Sequence, residues 1–254
     1  MKQGDFSELA KNYINRPAYN NLIINSLLKH INFLPNEFVI ADVGAGTGKF
    51  TKEIASAGCK IFAVEPNDEM RKEGIIYTKG NSNVIWSKGS GEETGLDSNC
   101  VNWVTMASSF HWTDPKKSLP EFHRILKSKG FFTIIWNPRN VEASPLHKEI
   151  EEMIKSVVPE LQRVSSGSQN VKDWFSILTS TQHFTNVVFM ECNHIEYMSQ
   201  ERYLGAWMSV NDIRAQAGEE RWNLIMQQIQ KIIAPYNEIE VPYKMRAWTA
   251  QRVD

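Results

Sequence analysis

The chain has 254 residues, 42% of them hydrophobic and 22% charged, and a formal net charge of −1. This is the composition of one large α/β domain, alone or with a cap, and a core of that size folds without disulfide staples. Without a basic stripe a phosphate backbone has little to hold, so nucleic acid is not an expected partner. The longest apolar run, Phe131 to Trp136, is too short to cross a bilayer, so neither is a membrane.

Cys59, Cys100 and Cys192 are far apart, odd in number and show no CxxC spacing. That speaks against a disulfide framework and against a zinc site, and no metal is expected. The opening MKQGDFSELAKNYINRP is polar and lacks the apolar stretch of a signal peptide, which points to the cytoplasm.

Along the chain, short β-rich runs alternate with helical stretches. FVIADV (38–43) leads to a helix over 48–57, KIFAVE (60–65) to one over 67–77, and NVIWSK (83–88) through a loop to VNWVTMA (101–107). A helix around Lys117–Lys127 precedes GFFTIIW (130–136). Alternation of this kind predicts a parallel sheet with helices on both faces. Helices are then expected over 145–158, with Leu146, Ile150, Met153, Ile154 and Val157 on one face, and over 170–181. SSGSQN (165–170) reads as a flexible loop. A β-like run at 185–197 is followed by helical stretches at 199–209 and 218–234, and the chain closes on IEVPYKMRAWTAQRV. Two such late strands suit an antiparallel pair at the sheet edge, with Pro242 near the start of the last one, where a missing N–H is tolerable.

The chemistry is carried by Asp42-Val43-Gly44-Ala45-Gly46-Thr47-Gly48, placed after a strand and opening a helix. Glycines there let the backbone turn sharply and approach a ligand closely, and helix N–H groups point the same way. A second strand ends at Glu65, 21 residues beyond Gly44, where a carboxylate reaches ribose hydroxyls. The dinucleotide fingerprint GxGxxG needs glycine at position 49, which is Lys49.

The GxGxG form resembles motif I of the class I S-adenosylmethionine-dependent methyltransferases. KGSGEETGLDSNCVNWVTMASSFHWTD (88–114) and EFHRILKSKGFFTIIWN (121–137) resemble later segments of these enzymes. FSELAKNYINRPAY (6–19) is similar to the start of the small-molecule, type 11 or trans-aconitate methyltransferase-like branch. The resemblance implies a Rossmann-like, seven-stranded, mostly parallel sheet with an antiparallel last pair and helical lid insertions. Its implied layout is one methyltransferase domain over 1–254: N-terminal lid 1–34, cofactor core 35–140, helical caps 141–183 and 198–236, and final strands 184–197 and 238–253.

Site roles follow from the same resemblance. Gly44, Ala45 and Gly46 would pass under the methionine and ribose of S-adenosylmethionine, and Asp42 would hold the glycine loop or the cofactor's ammonium. Glu65, followed by Pro66, would accept both ribose hydroxyls. Ser90 and Gly91 would meet the adenine edge, although these enzymes more often have an acidic residue where Ser90 stands. Ala107, Ser108 and Ser109 would line the methionine arm, and Tyr13 and Arg16 would close over the cofactor.

A sulfonium is already electrophilic, so the implied reaction is in-line displacement, leaving S-adenosylhomocysteine, and the protein's task is alignment. A base is needed only for an acceptor that arrives protonated. His111, in Phe110-His111-Trp112 after the fourth strand, is either that base or a positioning residue. Phe110, Trp112, Trp136 and Trp207 are expected acceptor-site residues, with Asn137, and with Arg139 as a fork for an acidic acceptor. The expected acceptor is a small molecule methylated on oxygen, a carboxylate or hydroxyl, by a monomer or homodimer. The alternatives are an RNA or protein acceptor and a non-catalytic cofactor-binding partner.

Overall fold

The computed structural model describes residues 9–163 and 173–254. The 165–170 loop, residues 6–8 of the N-terminal segment and residues 170–172 of the expected second late helix lie outside them. The described chain falls into two compact units. The sheet unit comprises Ala18–Trp136, Val171–Cys192 and Met245–Asp254, and the helical unit comprises Met1–Pro17, Asn137–Asn170 and Asn193–Lys244.

In the sheet unit the expected alternation is present. Strands β1 (Val39–Val43), β2 (Lys60–Val64), β3 (Val84–Ser87), β4 (Val101–Ala107) and β5 (Leu126–Trp136) are joined through helices α2 (Lys49–Ala55), α3 (Asp68–Tyr77) and α4 (Pro115–Ile125). Helix α1 (Asn21–His30) precedes them. With β6 (Phe184–Met198) and β7 (Ile239–Arg252) they form one seven-stranded sheet in the order β3-β2-β1-β4-β5-β7-β6. Pairing is parallel from β3 through β5, and β7 runs antiparallel to β5, with Trp136 opposite Arg246.

The parallel strands are apolar on both faces because helices cover both. Ile40, Ile61, Trp103 and Ile135 belong to one buried cluster, and their chain neighbours Ala41, Val104 and Ile134 to another. The helices start where the sequence supplies caps: the Asn67 side chain accepts from the N–H groups of Glu69 and Met70, and Asp114 caps α4 ahead of Pro115. One boundary differs from expectation. The helix expected to run to Lys127 ends at Ile125, because Leu126 turns extended and pairs with Val101. The Lys-Ser-Lys-Gly stretch that reads as a turn is instead an irregularity within β5, with Lys129 at φ +60°.

The helical unit has its own core. Helix α5 (Pro145–Val157) buries Ile150 and Ile154 and packs Leu146, Met153 and Val157 beside them, the face expected from its periodicity. Helix α7 (Gln200–Met208) contributes Tyr203 and Trp207, and α8 (Asn211–Ile233) contributes Ile213, Trp222, Ile225, Ile229 and Ile233. Helix α8 begins well before the expected position 218, where Gly218 (φ +74°) kinks it. The remaining short helix, α6 (Trp174–Thr179), belongs to the sheet unit, with Trp174 and Leu178 in its core. No helix among the described residues is long and apolar enough to cross a membrane.

Candidate active site

The glycine turn follows β1 directly. Gly44 and Gly46 have φ +66° and +58°, and Gly48 at +76° precedes the first residue of α2. A Cβ on Gly44 would lie 2.7 Å from both Cβ and Oγ of Ser109, so neither conformation nor space admits a side chain. Two backbone bonds fasten the turn to β2: the N–H groups of Gly44 and Ala45 both donate to the Val64 carbonyl, at 2.8 and 3.1 Å.

Glu65 continues from β2 and is 7% exposed. One carboxylate oxygen accepts from Gly46 N–H at 2.8 Å, and the other from Asn67 N–H at 2.9 Å. Burial raises its pKa, opposed by those two bonds and by Arg71, which donates to the Glu65 carbonyl. A carboxylate offers about four lone-pair sites, so each oxygen retains capacity for a further donor. Pro66, next in the chain, is exposed.

Asp42 lies deeper. It is fully buried, opposite Thr105 on β4, and accepts from Thr51 Oγ1 at 2.5 Å and Thr105 Oγ1 at 3.1 Å. Burial pushes its pKa up from 3.8 to about 7, against the lowering by both hydroxyls, with Glu65 adding to the rise. These two bonds tie the end of β1 to α2 and to β4.

At the end of β4, Ala107 is followed by Ser108 with φ +58°, a conformation that costs a residue with a Cβ about 1–2 kcal/mol. Ser108 N–H donates to Ile135 O at 2.7 Å, and Ser109 Oγ donates to Val43 O at 3.1 Å, so the β1 and β4 ends are joined. Ser90 Oγ accepts from the N–H groups of Glu92 and Glu93, closing its own loop, and Gly91 packs where a Cβ would meet Thr113 at 2.6 Å.

His111 lies in a short 3-10 turn, Phe110–Trp112. Its Nδ1 accepts from the Trp136 indole N–H at 3.3 Å, and its ring stands 4.7 Å from that of Trp112. Trp136 is held in turn by stacking on Trp174 at 4.5 Å and edge contact with Trp248. Phe110 points into the core between Phe132 and Trp174, whereas Trp112 is 40% exposed.

The other expected residues belong to the helical unit. Arg16 lies over the Tyr13 ring at 4.1 Å and donates to the hydroxyl and carbonyl of Ser209. Arg139 lies over Trp207 at 4.0 Å and faces Tyr203 at 5.7 Å. It is fixed by an antiparallel bridge to Tyr243, flanked by bonds from Asn140 N–H to Pro242 O and from Lys244 N–H to Pro138 O. Asn137 is half-buried at the start of this stretch.

The sequence did not single out His147 or Tyr243 for the site, yet with Tyr203, an aromatic the late helices offered to a pocket, they gather around Arg139. The ring of His147 is 5.8 Å from that of Tyr203, and its pKa is pushed down to about 4 by burial and then by the Arg139 charge. The signal, a histidine on the apolar face of α5, reads equally as core.

Comparison with known proteins agrees with this geometry. Residues 41–134, from inside β1 to inside β5, match the family described as a methyltransferase domain. Uncharacterised methyltransferases of Mycobacterium tuberculosis and M. bovis are 35% identical over 101 residues. That match spans about 40% of this chain and 40% of those relatives. An uncharacterised methyltransferase of Schizosaccharomyces pombe is 24% identical over 84% of this chain and 83% of its own. Among solved structures, the YcgJ protein of Bacillus subtilis superposes with a TM-score of 0.56 at 16% identity, covering 92% of this chain and 100% of that one. A geranyl diphosphate methyltransferase in complex with S-adenosylmethionine gives 0.51 at 14%, covering 99% and 93%. These two likenesses show the shared fold. Residues 41–134 are thus similar to the methyltransferase-domain family, and the fold is the Rossmann-like one shared with these solved structures.

Proposed function

We propose that this protein transfers a methyl group from S-adenosylmethionine to a small organic acceptor, on oxygen. The observation that carries the reading is Glu65. It is a buried carboxylate at the end of β2, braced by the glycine turn's own N–H, with lone pairs left for two hydroxyls. A ribose fits that donor set, since a vicinal diol supplies two O–H groups to one carboxylate.

When bound, the cofactor supplies an electrophilic methyl on a positively charged sulfur. The chain's residues bind and orient. Gly44 and Gly46 offer backbone without side chains on either side of Ala45, Asp42 braces the loop, and Glu65 would hold the ribose. Ser90 and Gly91 lie along the loop proposed for the adenine edge, and Ala107 and Ser108 along that proposed for the methionine arm. The methyl that the bound cofactor would supply would pass to an acceptor oxygen, with S-adenosylhomocysteine as the other product. A carboxylate acceptor has no proton to lose, and a hydroxyl gives its proton to solvent or to a base.

For His111 the positioning role is the one we favour, on the hydrogen bond it receives from Trp136. With Nδ1 accepting from Trp136, the neutral ring carries its proton on Nε2. Nε2 is then a donor that positions an acceptor oxygen, and the nitrogen with a lone pair is turned toward Trp136.

Calorimetry tests the cofactor assignment: S-adenosylhomocysteine should bind and NAD should not. NAD binding tighter than S-adenosylhomocysteine would end the methyltransferase reading. Turnover in a fraction of cell metabolites, against turnover on total RNA, tests the small acceptor. Methyl incorporation confined to RNA would overturn that choice.

A further inference from the structure

The loop from β3 to β4 has no helix or strand of its own, yet it carries Ser90 and Gly91, the residues proposed for the adenine edge. What holds it lies on α4, within the same sheet unit. The Glu121 side chain is 11% exposed. Its Oε1 accepts from the N–H of Thr94 at 2.9 Å and from the Thr94 hydroxyl at 2.5 Å, and Thr94 is itself fully buried. Arg124, one turn further along α4, donates from Nε and Nη2 to the two oxygens of Glu121, at 2.7 and 2.8 Å. The same guanidinium reaches the loop directly, through Leu96 O at 2.7 Å and Ser98 Oγ at 3.1 Å.

Thr94 is where this clasp meets the adenine-edge stretch. A Cβ on Gly89 would lie 2.6 Å from the Thr94 carbonyl oxygen, so Gly89 packs directly on the Thr94 backbone. Between the two the chain doubles back, with Ser90 N–H donating to Glu93 O at 2.8 Å. A second attachment sits at the start of α4, where Asp114 N–H donates to Glu92 Oε1 at 2.8 Å. Asp114 and Glu121 are seven residues apart, about two helical turns, so both attachments fall on one face of the helix. The pairing with Arg124 alone would meet the charge of Glu121. The bonds to Thr94 lie off the helix and remove freedom only from the loop, and bonds to an ionised group are among the stronger ones available for that.

We infer that Glu121 is a positioning residue that, with Arg124, clamps the 89–94 loop in the geometry that reads the base of the cofactor. The inference rests on the methyltransferase reading, and on the assignment of Ser90 and Gly91 to the adenine edge. Glu121 acts through Thr94 and Gly89 and touches no ligand itself, so its effect falls on which base is accepted.

The test uses the full chain, calorimetry, and S-adenosylhomocysteine beside S-inosylhomocysteine, in which a carbonyl replaces the 6-amino group and the neighbouring ring nitrogen gains a proton. The parent should prefer the adenine compound by at least about fivefold, the size of one neutral hydrogen bond. Glu121→Ala should bring that ratio close to one. Thr94→Val keeps the buried volume without the hydroxyl and should lower the ratio too, whereas Thr94→Ser keeps the hydroxyl and should hold the ratio near the parent's. This pair carries the test even where Glu121→Ala fails to fold. A purely structural role would lower Tm and weaken both compounds alike, so the ratio decides and neither affinity does alone. A parent without base preference, a ratio unmoved by Thr94→Val or by a folded Glu121→Ala, or a serine variant no more selective than the valine one would overturn the clamp. Failure of the parent to bind S-adenosylhomocysteine would instead sink the methyltransferase reading, and the clamp with it.

Discussion

The two units treat buried polarity in opposite ways. In the sheet unit the buried carboxylates are answered from within: Asp42 by Thr51 and Thr105, Glu65 by Gly46 and Asn67. In the helical unit a set of buried donors around Arg139 has no hydrogen-bond partner among the described residues. The first pattern is that of a scaffold complete before its ligand arrives, with spare lone pairs at its surface. The second is a cluster of buried donors whose hydrogen bonding the described residues do not complete. Preorganisation therefore belongs to the proposed cofactor site.

The sharpest way to break this contrast is at Gly44. An alanine there combines a left-handed backbone with overlap onto Ser109 at 2.7 Å. A strain of about 1–2 kcal/mol per left-handed residue, plus the displaced loop, should lower S-adenosylhomocysteine affinity by more than about 100-fold. Calorimetry on a variant shown to be folded checks this, and a dissociation constant within a factor of a few of the parent would show that the turn is not the ligand's seat.

Glu65→Ala should have the next largest effect. Hydrogen bonds to a charged group are worth about 1.5–3 kcal/mol, so cofactor-product affinity should fall about 10- to 100-fold. Unchanged affinity in a folded variant would move the ribose elsewhere.

Asp42 sharpens the comparison through stability. Its folded pKa, about 7, lies above its ordinary 3.8, so between those values the folded state binds more protons than the unfolded one. The stabilisation is complete below pH 3.8 and is lost as pH rises toward 7. Glu65 shifts in the same direction. Asp42→Asn removes only the Asp42 share, so thermal melts from pH 4 to pH 8 should show a shallower decline than the parent. Parallel curves would mean that Asp42 keeps an ordinary pKa in its buried place.

Legibility in the sequence divides along the same line. The strands of the sheet unit were readable because continuous apolar runs punctuated by glycine and capping residues are local signals, and Gly44 and Gly46 have no other reason to alternate. Glu65 was readable from spacing alone. Arg139, His147, Tyr203, Trp207 and Tyr243 come from four separate segments, and only tertiary packing gathers them. Singly, each aromatic reads as ordinary core, and nothing local marks a buried hydroxyl as unpaired. Even Trp136, expected at the acceptor, is bonded to His111, a contact no spacing announces.

The smallest expected effect is at His111, and it separates the two roles the sequence left open. A general base would lose about 10²- to 10⁴-fold in kcat when replaced, and the rate would rise with pH as the ring gave up its charge. The hydrogen bond argues for the other role, because Trp136 donates to Nδ1, the nitrogen that holds the lone pair when a neutral ring is protonated on Nε2. Glutamine reproduces both features: its oxygen can accept from the Trp136 indole while its amide donates where Nε2–H did. His111→Gln should therefore keep kcat within about tenfold of the parent, with the change falling mainly on the acceptor KM. His111→Ala, which loses both contacts, should be the poorer enzyme. Steady-state kinetics from pH 5.5 to pH 8.5 decide the matter. A glutamine variant as inactive as alanine, together with a parent rate that climbs through the histidine range, would restore the base. A flat profile with an active glutamine variant leaves orientation as the whole contribution of this ring.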